Sequence, residues 1–357
     1  MRGRVRWFVH PCSPRPTARR AVAWPLKVLL VLVGCRAAPL GLPAPGNEPP
    51  APVPPVWRQL VGDYSDGRDT VSLLEDGGTL HLQTWRGQRD GLRSTSDSTL
   101  ALSRGEVLTV RRGPDGRAAA LLRNGRSFTR LAFGPEDGSS FRITPRRGAD
   151  QLRQEALAAT PPEETGDFLP PDLVELTRLD PTIRLDVRYA TTNNFMGARF
   201  YSSARAFLQR PAAEALVRAH RQLRSQGYGL LIHDGYRPWY VTWMFWEATP
   251  DPLRIFVANP ANGSRHNRGC AVDLTLYDLR TGEPVEMTGG YDEMSPRSFP
   301  EYQGGTSRQR WHRALLRQAM EAEGFTVYEA EWWHFDYKDW RRYRIGNRTF
   351  EELGGER

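Results

Sequence analysis

The stretch SRHNRGCAVDL, residues 264–274, places His266 and Asp273 seven positions apart with Gly269 and Ala271 between them. Imidazole nitrogens and carboxylate oxygens hold zinc, and a catalytic zinc takes three protein ligands and keeps one position open. If Ala271 onward is a strand, Asp273 and Thr275 share one face, and Val272 and Leu274 the other. An Asp on an otherwise apolar strand is costly to bury unless it is paired or bound to a metal. A buried Asp hydrogen-bonded to a neighbouring loop fits this stretch alone equally well. The candidate histidines in this half of the chain are His220, His233, His266, His312 and His334.

A second stretch, EWWHFDY at 331–337, sets Glu331 three positions before His334. A carboxylate at that spacing from a metal-binding His can take a proton from water while the His holds the metal. In a regular strand the two side chains point to opposite faces, so one cavity requires a bulge or strong twist. An ion-paired Glu and a core His beside structural tryptophans is the plainer alternative. A third stretch, DGYRP at 234–238, is a turn that projects Arg237, and an arginine there can offset the charge of a tetrahedral intermediate.

Taken together, the pattern SxHxxGxAxD followed by ExxH, with DGYRP upstream, resembles the zinc D-Ala-D-Ala peptidases. RYATTNNFMG, GYGLLIHDGYRP, SRHNRGCAVDLTLYDLRTGE and EWWHFDY are similar to the D-alanyl-D-alanine dipeptidases of the VanX type. The resemblance runs from about Leu179 to Tyr337. It implies one Zn2+ per chain, held by His266, Asp273 and His334. It implies Glu331 as general base and later acid, and Arg237 as the partner of the tetrahedral intermediate. Ser264 would contact the substrate carboxylate, and Asp292 and Tyr189 its free amino group. An anion facing that ammonium rejects longer chains, whose nitrogen is a neutral amide. The implied reaction is hydrolysis of the dipeptide D-Ala-D-Ala to two D-alanines. A D,D-carboxypeptidase acting on peptidoglycan stem peptides and a non-catalytic wall-binding lipoprotein are the alternatives. Ser295 and Pro296 depart from the acidic residues usual after Asp292, which bears on the pocket's lid.

The elements that must position these residues form an α+β domain at 173–357, with an antiparallel sheet and flanking helices. PAAEALVRAHRQLRSQGYG is an amphipathic helix started by Pro211 and ended by Gly227. SRQRWHRALLRQAMEAEGF is a second one, ending at Gly324. LLIHDGYRP, GCAVDLTLYD and EWWHFDY read as strands. Upstream, residues 57–145 alternate short β-rich runs (TVSLLED, TLHLQTW, EVLTVRR, AAALLRN, SFTRLAF) with turn dipeptides, so they form a small all-β accessory domain, barrel or sheet. This region resembles the lipocalin-like module appended to some secreted β-lactamase-type hydrolases. Residues 146–172 read as a linker with a turn or two of helix.

The first 35 residues read as an export signal, with basic residues ahead of VLLVLVG and a lipobox-like LVGC ending at Cys35. Lipidation of Cys35 would make it an exported, lipid-anchored periplasmic or cell-envelope protein, tethered to the membrane without spanning it. Residues 36–56 are a proline-rich spacer. Three cysteines are too few for a disulfide scaffold, and Cys270 reads as a small strand residue. The formal charge of +8 is spread over 49 basic and 41 acidic residues with no basic block, so no nucleic-acid partner is expected.

Overall fold

The turn dipeptides of the first half pin a closed barrel. The computed structural model describes residues 48–135 and 139–354; the signal and lipobox reading lies outside the described residues. A short helix α1 (Pro55–Arg58) leads into eight strands: β1 (Gly62–Ser65), β2 (Thr70–Asp76), β3 (Thr79–Thr84), β4 (Arg89–Ser96), β5 (Thr99–Leu102), β6 (Val107–Arg112), β7 (Ala118–Arg123) and β8 (Arg126–Arg130). Gly77-Gly78 and Asn124-Gly125 all have positive φ, the geometry of two-residue hairpin turns, and they fix the β2–β3 and β7–β8 registers. Each strand pairs antiparallel with the next, and β1 closes on β8 through Tyr64↔Arg130 and Ser65↔Thr129. Leu73, Leu80, Leu82, Leu100, Leu108 and Leu121 are among the side chains that fill the barrel's core.

Residues 146–172, expected as a linker, carry the three-turn helix α2 (Ala149–Ala158). Its Leu152 and Ala156 are fully buried in the core of the second body, not between bodies. Burying that leucine stabilises the fold by about 2 kcal/mol, which is why the segment folds as part of the second body.

The second body contains β9 (Leu173–Glu175), α3 (Leu176–Leu179), β10 (Arg184–Leu185), β11 (Phe207–Gln209), α4 (Arg210–Arg224), β12 (Tyr228–Asp234), α5 (Trp239–Ala248), β13 (Ala271–Asp278), α6 (Ser307–Ala322), β14 (Phe325–Tyr328) and β15 (Glu331–Tyr337). Its main sheet has the order β10-β12-β13-β15-β14. The expectation of an antiparallel sheet needs one correction: β10 joins β12 in parallel through Arg184↔Leu231 and Leu185↔Ile232. Helices α4 and α6 pack against this sheet. Pro211 sits in the first turn of α4, and Ala215, Leu216, Ala219 and Leu223 are buried along one stripe. A reciprocal capping box between Thr306 and Gln309 starts α6.

Two irregularities in this sheet bear on the site. Between β12 and β13 the register shifts at His233, which brings Asp234 opposite Asp273. Between β14 and β15, Val327 faces Phe335 but Tyr328 faces Glu331, so Trp332, Trp333 and His334 bulge out of that ladder.

Candidate active site

The bulge in β15 answers the parity problem of EWWH. In a regular strand Glu331 and His334 would face apart; here a Glu331 oxygen lies 3.8 Å from His334 Nδ1. His334 in turn faces Asp273 across the β13–β15 ladder. His266 comes from the loop ahead of β13. Gly269, which turns that loop into the strand, has φ +67, and a Cβ there would stand 2.5 Å from a Leu173 methyl. Glycine adopts that left-handed backbone without strain and so lets His266 fold back over Asp273.

The donor atoms of the three residues converge. His334 Nδ1 is 3.0 Å from Asp273 Oδ1 and 3.1 Å from His266 Nε2, and His266 Nε2 is 3.3 Å from Asp273 Oδ1. Tetrahedral zinc with bonds of ~2.1 Å needs donors about 3.4 Å apart, so the three edges fit the ion. The tautomers fit as well. His266 Nδ1 donates to the Gly235 carbonyl at 2.7 Å, which leaves Nε2 with its lone pair toward the cluster. His334 Nε2 is held by Asp336 Oδ1 at 2.9 Å, which leaves Nδ1 inward. A carboxylate behind a ligating imidazole is the usual outer support of a metal site.

Charge points the same way. Burial opposes ionisation of Asp273, yet His266 and His334 hold its carboxyl well below the usual range. Burial likewise disfavours a charged His334, but Asp336 and Asp273 push it up to about 10. The acidic cluster thus favours positive charge at its centre. That is the environment a divalent cation satisfies.

Glu331 sits at the edge of the cluster. Desolvation pushes its carboxyl up to about 8, with His334 opposing, while 12% of its side chain remains open to solvent. A carboxylate with raised proton affinity and an outlet to water suits a general base. Arg237 lies on the other side. Its Nε donates to Asp234 at 2.8 Å and one terminal nitrogen reaches Asp273 at 3.4 Å, with the guanidinium 5.3 Å over Tyr189 and 5.0 Å over Phe245. Asp234, Tyr201 and the Gly235 amide lock that geometry: Tyr201 and Gly235 each donate to Asp234 at 2.9 Å.

A cavity of about 80 Å³ joins these groups. Phe195, Phe245 and Trp333 wall it, and Ser264, Asp292 and Tyr189 also line it. The Tyr189 hydroxyl lies 3.0 Å from both oxygens of Asp292. Desolvation, then the charge of Asp273, pushes Asp292 up to about 8. All eight residues expected in the second body thus border one small cavity.

The other three histidines lie elsewhere. His220 accepts from the Leu230 amide and bonds Thr182, and burial pulls it down to about 4, so it is a core residue. His233 stacks on Tyr291 at 4.4 Å, and His312 bonds the Glu286 carbonyl. Cys270 is buried and pushed up to about 12 by desolvation, which removes it as a thiolate ligand. Sequence reasoning missed Asp336, Asp234 and Tyr291, whose hydroxyl donates to Asp273 at 3.1 Å. Asp336 carried a readable signal, since it lies two residues past His334 and so on the same strand face.

The peptidase M15 family model, described as D-ala-D-ala dipeptidase, matches residues 171–352. The D-alanyl-D-alanine dipeptidase of Escherichia coli (strain K12) is 36% identical over 165 residues, 46% of this chain and 84% of that relative. That of Enterococcus faecium is 37% identical over 175 residues, 44% of this chain and 87% of the relative. That of Streptomyces coelicolor is 36% identical over 193 residues, 49% of this chain and 93% of the relative. A solved LD-carboxypeptidase, LdcB, aligns at 17% identity with a TM-score of 0.28, over 60% of this chain and 89% of that one, too distant to bear on the site.

Proposed function

Since the chain belongs to the peptidase M15 family of D-Ala-D-Ala dipeptidases, we propose that it hydrolyses D-Ala-D-Ala to two D-alanines at the cavity that β13 and β15 help to line. The observation that carries this reading is the convergence of His266, Asp273 and His334, with donor atoms within 4.8 Å of one another, beside Glu331. The family is zinc-dependent, and these three residues would hold one zinc ion per chain. Bound there, zinc supplies a Lewis acid and a positive charge at the scissile carbonyl.

This chain's own residues do the rest. Glu331 takes the proton of the attacking water and returns it to the leaving amine. Arg237, fixed by Asp234 and stacked over Tyr189, offsets charge on the tetrahedral intermediate. Ser264 faces the substrate carboxylate. Asp292 and Tyr189 hold the free ammonium, and the Asp292 anion disfavours a longer peptide, whose nitrogen there is a neutral amide. The export reading of residues 1–35, with Cys35 as lipid anchor, supports a role in cell-wall peptide turnover at the envelope.

The ammonium assignment makes a pH prediction. Desolvation, then the charge of Asp273, pushes Asp292 up to about 8, a value that a cation on Asp273 would lower, and an ammonium selects its ionised form. Below that value, binding must expel a proton. KM for D-Ala-D-Ala should therefore fall as pH rises from about 6 toward 8, where the substrate amine itself begins to lose its proton. In Asp292→Asn this trend should vanish, KM should rise, and the preference for D-Ala-D-Ala over N-acetyl-D-Ala-D-Ala should collapse. Steady-state kinetics across that range decide it; an Asp292→Asn enzyme with unchanged KM and preference contradicts the assignment.

A further inference from the structure

Asp292 stands in an unusual backbone. Its φ is 57°, a left-handed conformation that costs a residue with a Cβ. The tight turn that imposes it runs from Gly290 to Glu293, with the Glu293 amide donating to the Gly290 carbonyl at 3.3 Å and the Gly290 amide to the Glu293 carboxylate at 3.0 Å. Glu293 is buried and receives Arg297 through two bonds of 2.7 and 2.9 Å, and the Ser295 hydroxyl as well. Such an outlier persists only where its surroundings over-determine it.

Those surroundings include the barrel. Tyr302, ten residues beyond Asp292, donates its hydroxyl to Asp63 of β1 at 2.7 Å. Asp63 is 6% exposed and also receives Ser72. The carbonyl of Tyr302 is bound by Arg313 of α6 at 2.8 Å. Glu75 of β2 is 3% exposed and accepts from the Ser307 amide at 2.7 Å, where α6 begins, while its own amide donates to the Gly305 carbonyl at 3.1 Å. Arg58 of α1 meets Glu286 at 2.6 Å ahead of the turn. Buried carboxylates are retained only with partners, and the two the barrel buries here both find them on the segment that presents Asp292. The family match begins at residue 171, so no part of the family pattern assigns the barrel a role.

We propose that the β-barrel is a specificity element of the dipeptidase: through Asp63 and Glu75 it clamps the 286–307 segment and holds Asp292 where it meets a free substrate ammonium. Asp63, Glu75 and Tyr302 are positioning residues, acting through Asp292. This rests on the reading of Asp292 as the ammonium contact.

The test uses the full chain with Tyr302→Phe and, separately, Glu75→Gln, each assayed on D-Ala-D-Ala and N-acetyl-D-Ala-D-Ala beside Asp292→Asn. Tyr302→Phe keeps the ring and removes only the hydroxyl. Loss of one charge-assisted bond should raise KM for the dipeptide about tenfold, leave kcat within about twofold, and lower the preference for the free amine about tenfold. Wild-type KM and preference in both variants, with preference lost in Asp292→Asn, overturns the barrel's role and leaves the Asp292 reading standing. Preference retained in Asp292→Asn overturns that reading and this inference with it. A fall in kcat that tracks a lowered melting temperature, with KM unchanged, shows structural support alone and also overturns the proposal.

Discussion

Glu331→Gln should lower kcat on D-Ala-D-Ala by about 10³-fold while KM changes little, the scale expected when a general base that also serves as acid is removed. The side chain is near-isosteric, so the bulge that Trp332, Trp333 and His334 form in β15 should persist. Glu331 stands 3.8 Å from His334 Nδ1, outside the three converging donors. Zinc content should therefore stay at that of the wild type, which separates loss of the base from loss of the metal. The wild-type rate should also fall as pH drops and protonates Glu331, whose carboxyl desolvation pushes up to about 8; a cation beside it would move that limb to lower pH. Rapid-quench or steady-state kinetics with elemental analysis of the same sample check this. Turnover near wild type in Glu331→Gln would remove the residue from the mechanism.

His266→Ala should abolish both zinc binding and activity. Two donors, Asp273 and His334, would remain, below the three that a catalytic zinc requires. The change also unpairs the buried Gly235 carbonyl, which accepts from His266 at 2.7 Å, so the melting temperature should drop and no longer respond to added zinc. Asp336→Asn makes a graded companion. It leaves all three donors but takes the negative charge from behind His334 Nε2. Metal affinity should fall 10–100-fold by chelator competition, the usual effect of losing such a partner. Full zinc occupancy in His266→Ala would break the ligand assignment.

The features that were legible in the sequence were those carried by local pattern. Strands β2, β3, β6, β7 and β8 alternate or are flanked by Gly-Gly and Asn-Gly, and they fold where that pattern sets them. Strand β4, RDGLRSTS, was missed because only Leu92 in it is buried; pairing with β3 and β5 makes it a strand. Helix α5, WYVTWMFWEA, was missed for the opposite reason. It is apolar nearly all round, and a helix buried on most sides shows no stripe at the helical period.

The site divides in the same way. His266, Asp273, Glu331 and His334 were readable as candidates from residue type and spacing. Their convergence depends on two register shifts that no periodicity announces. Tyr291 reaches Asp273 from a loop, a contact set by tertiary packing alone, whereas Asp234 holds Arg237 from three residues away inside DGYRP, a pairing within reach of the sequence. The altered residues after Asp292 find their explanation only in three dimensions. The Ser295 hydroxyl accepts from the Arg297 amide at 3.1 Å, opening a short 3₁₀ turn, and the half-buried Arg297 pairs with the buried Glu293 beside Asp292.

The most direct measurement is the hydrolysis of D-Ala-D-Ala by the purified chain as isolated, after chelation, and after reloading with zinc, beside a pentapeptide ending in D-Ala-D-Ala. D-alanine should be released from the dipeptide, release should stop with chelator and return with zinc, and the pentapeptide should be cleaved little or not at all. Efficient trimming of the pentapeptide with the dipeptide untouched, or dipeptide hydrolysis indifferent to chelator, would contradict the proposed function.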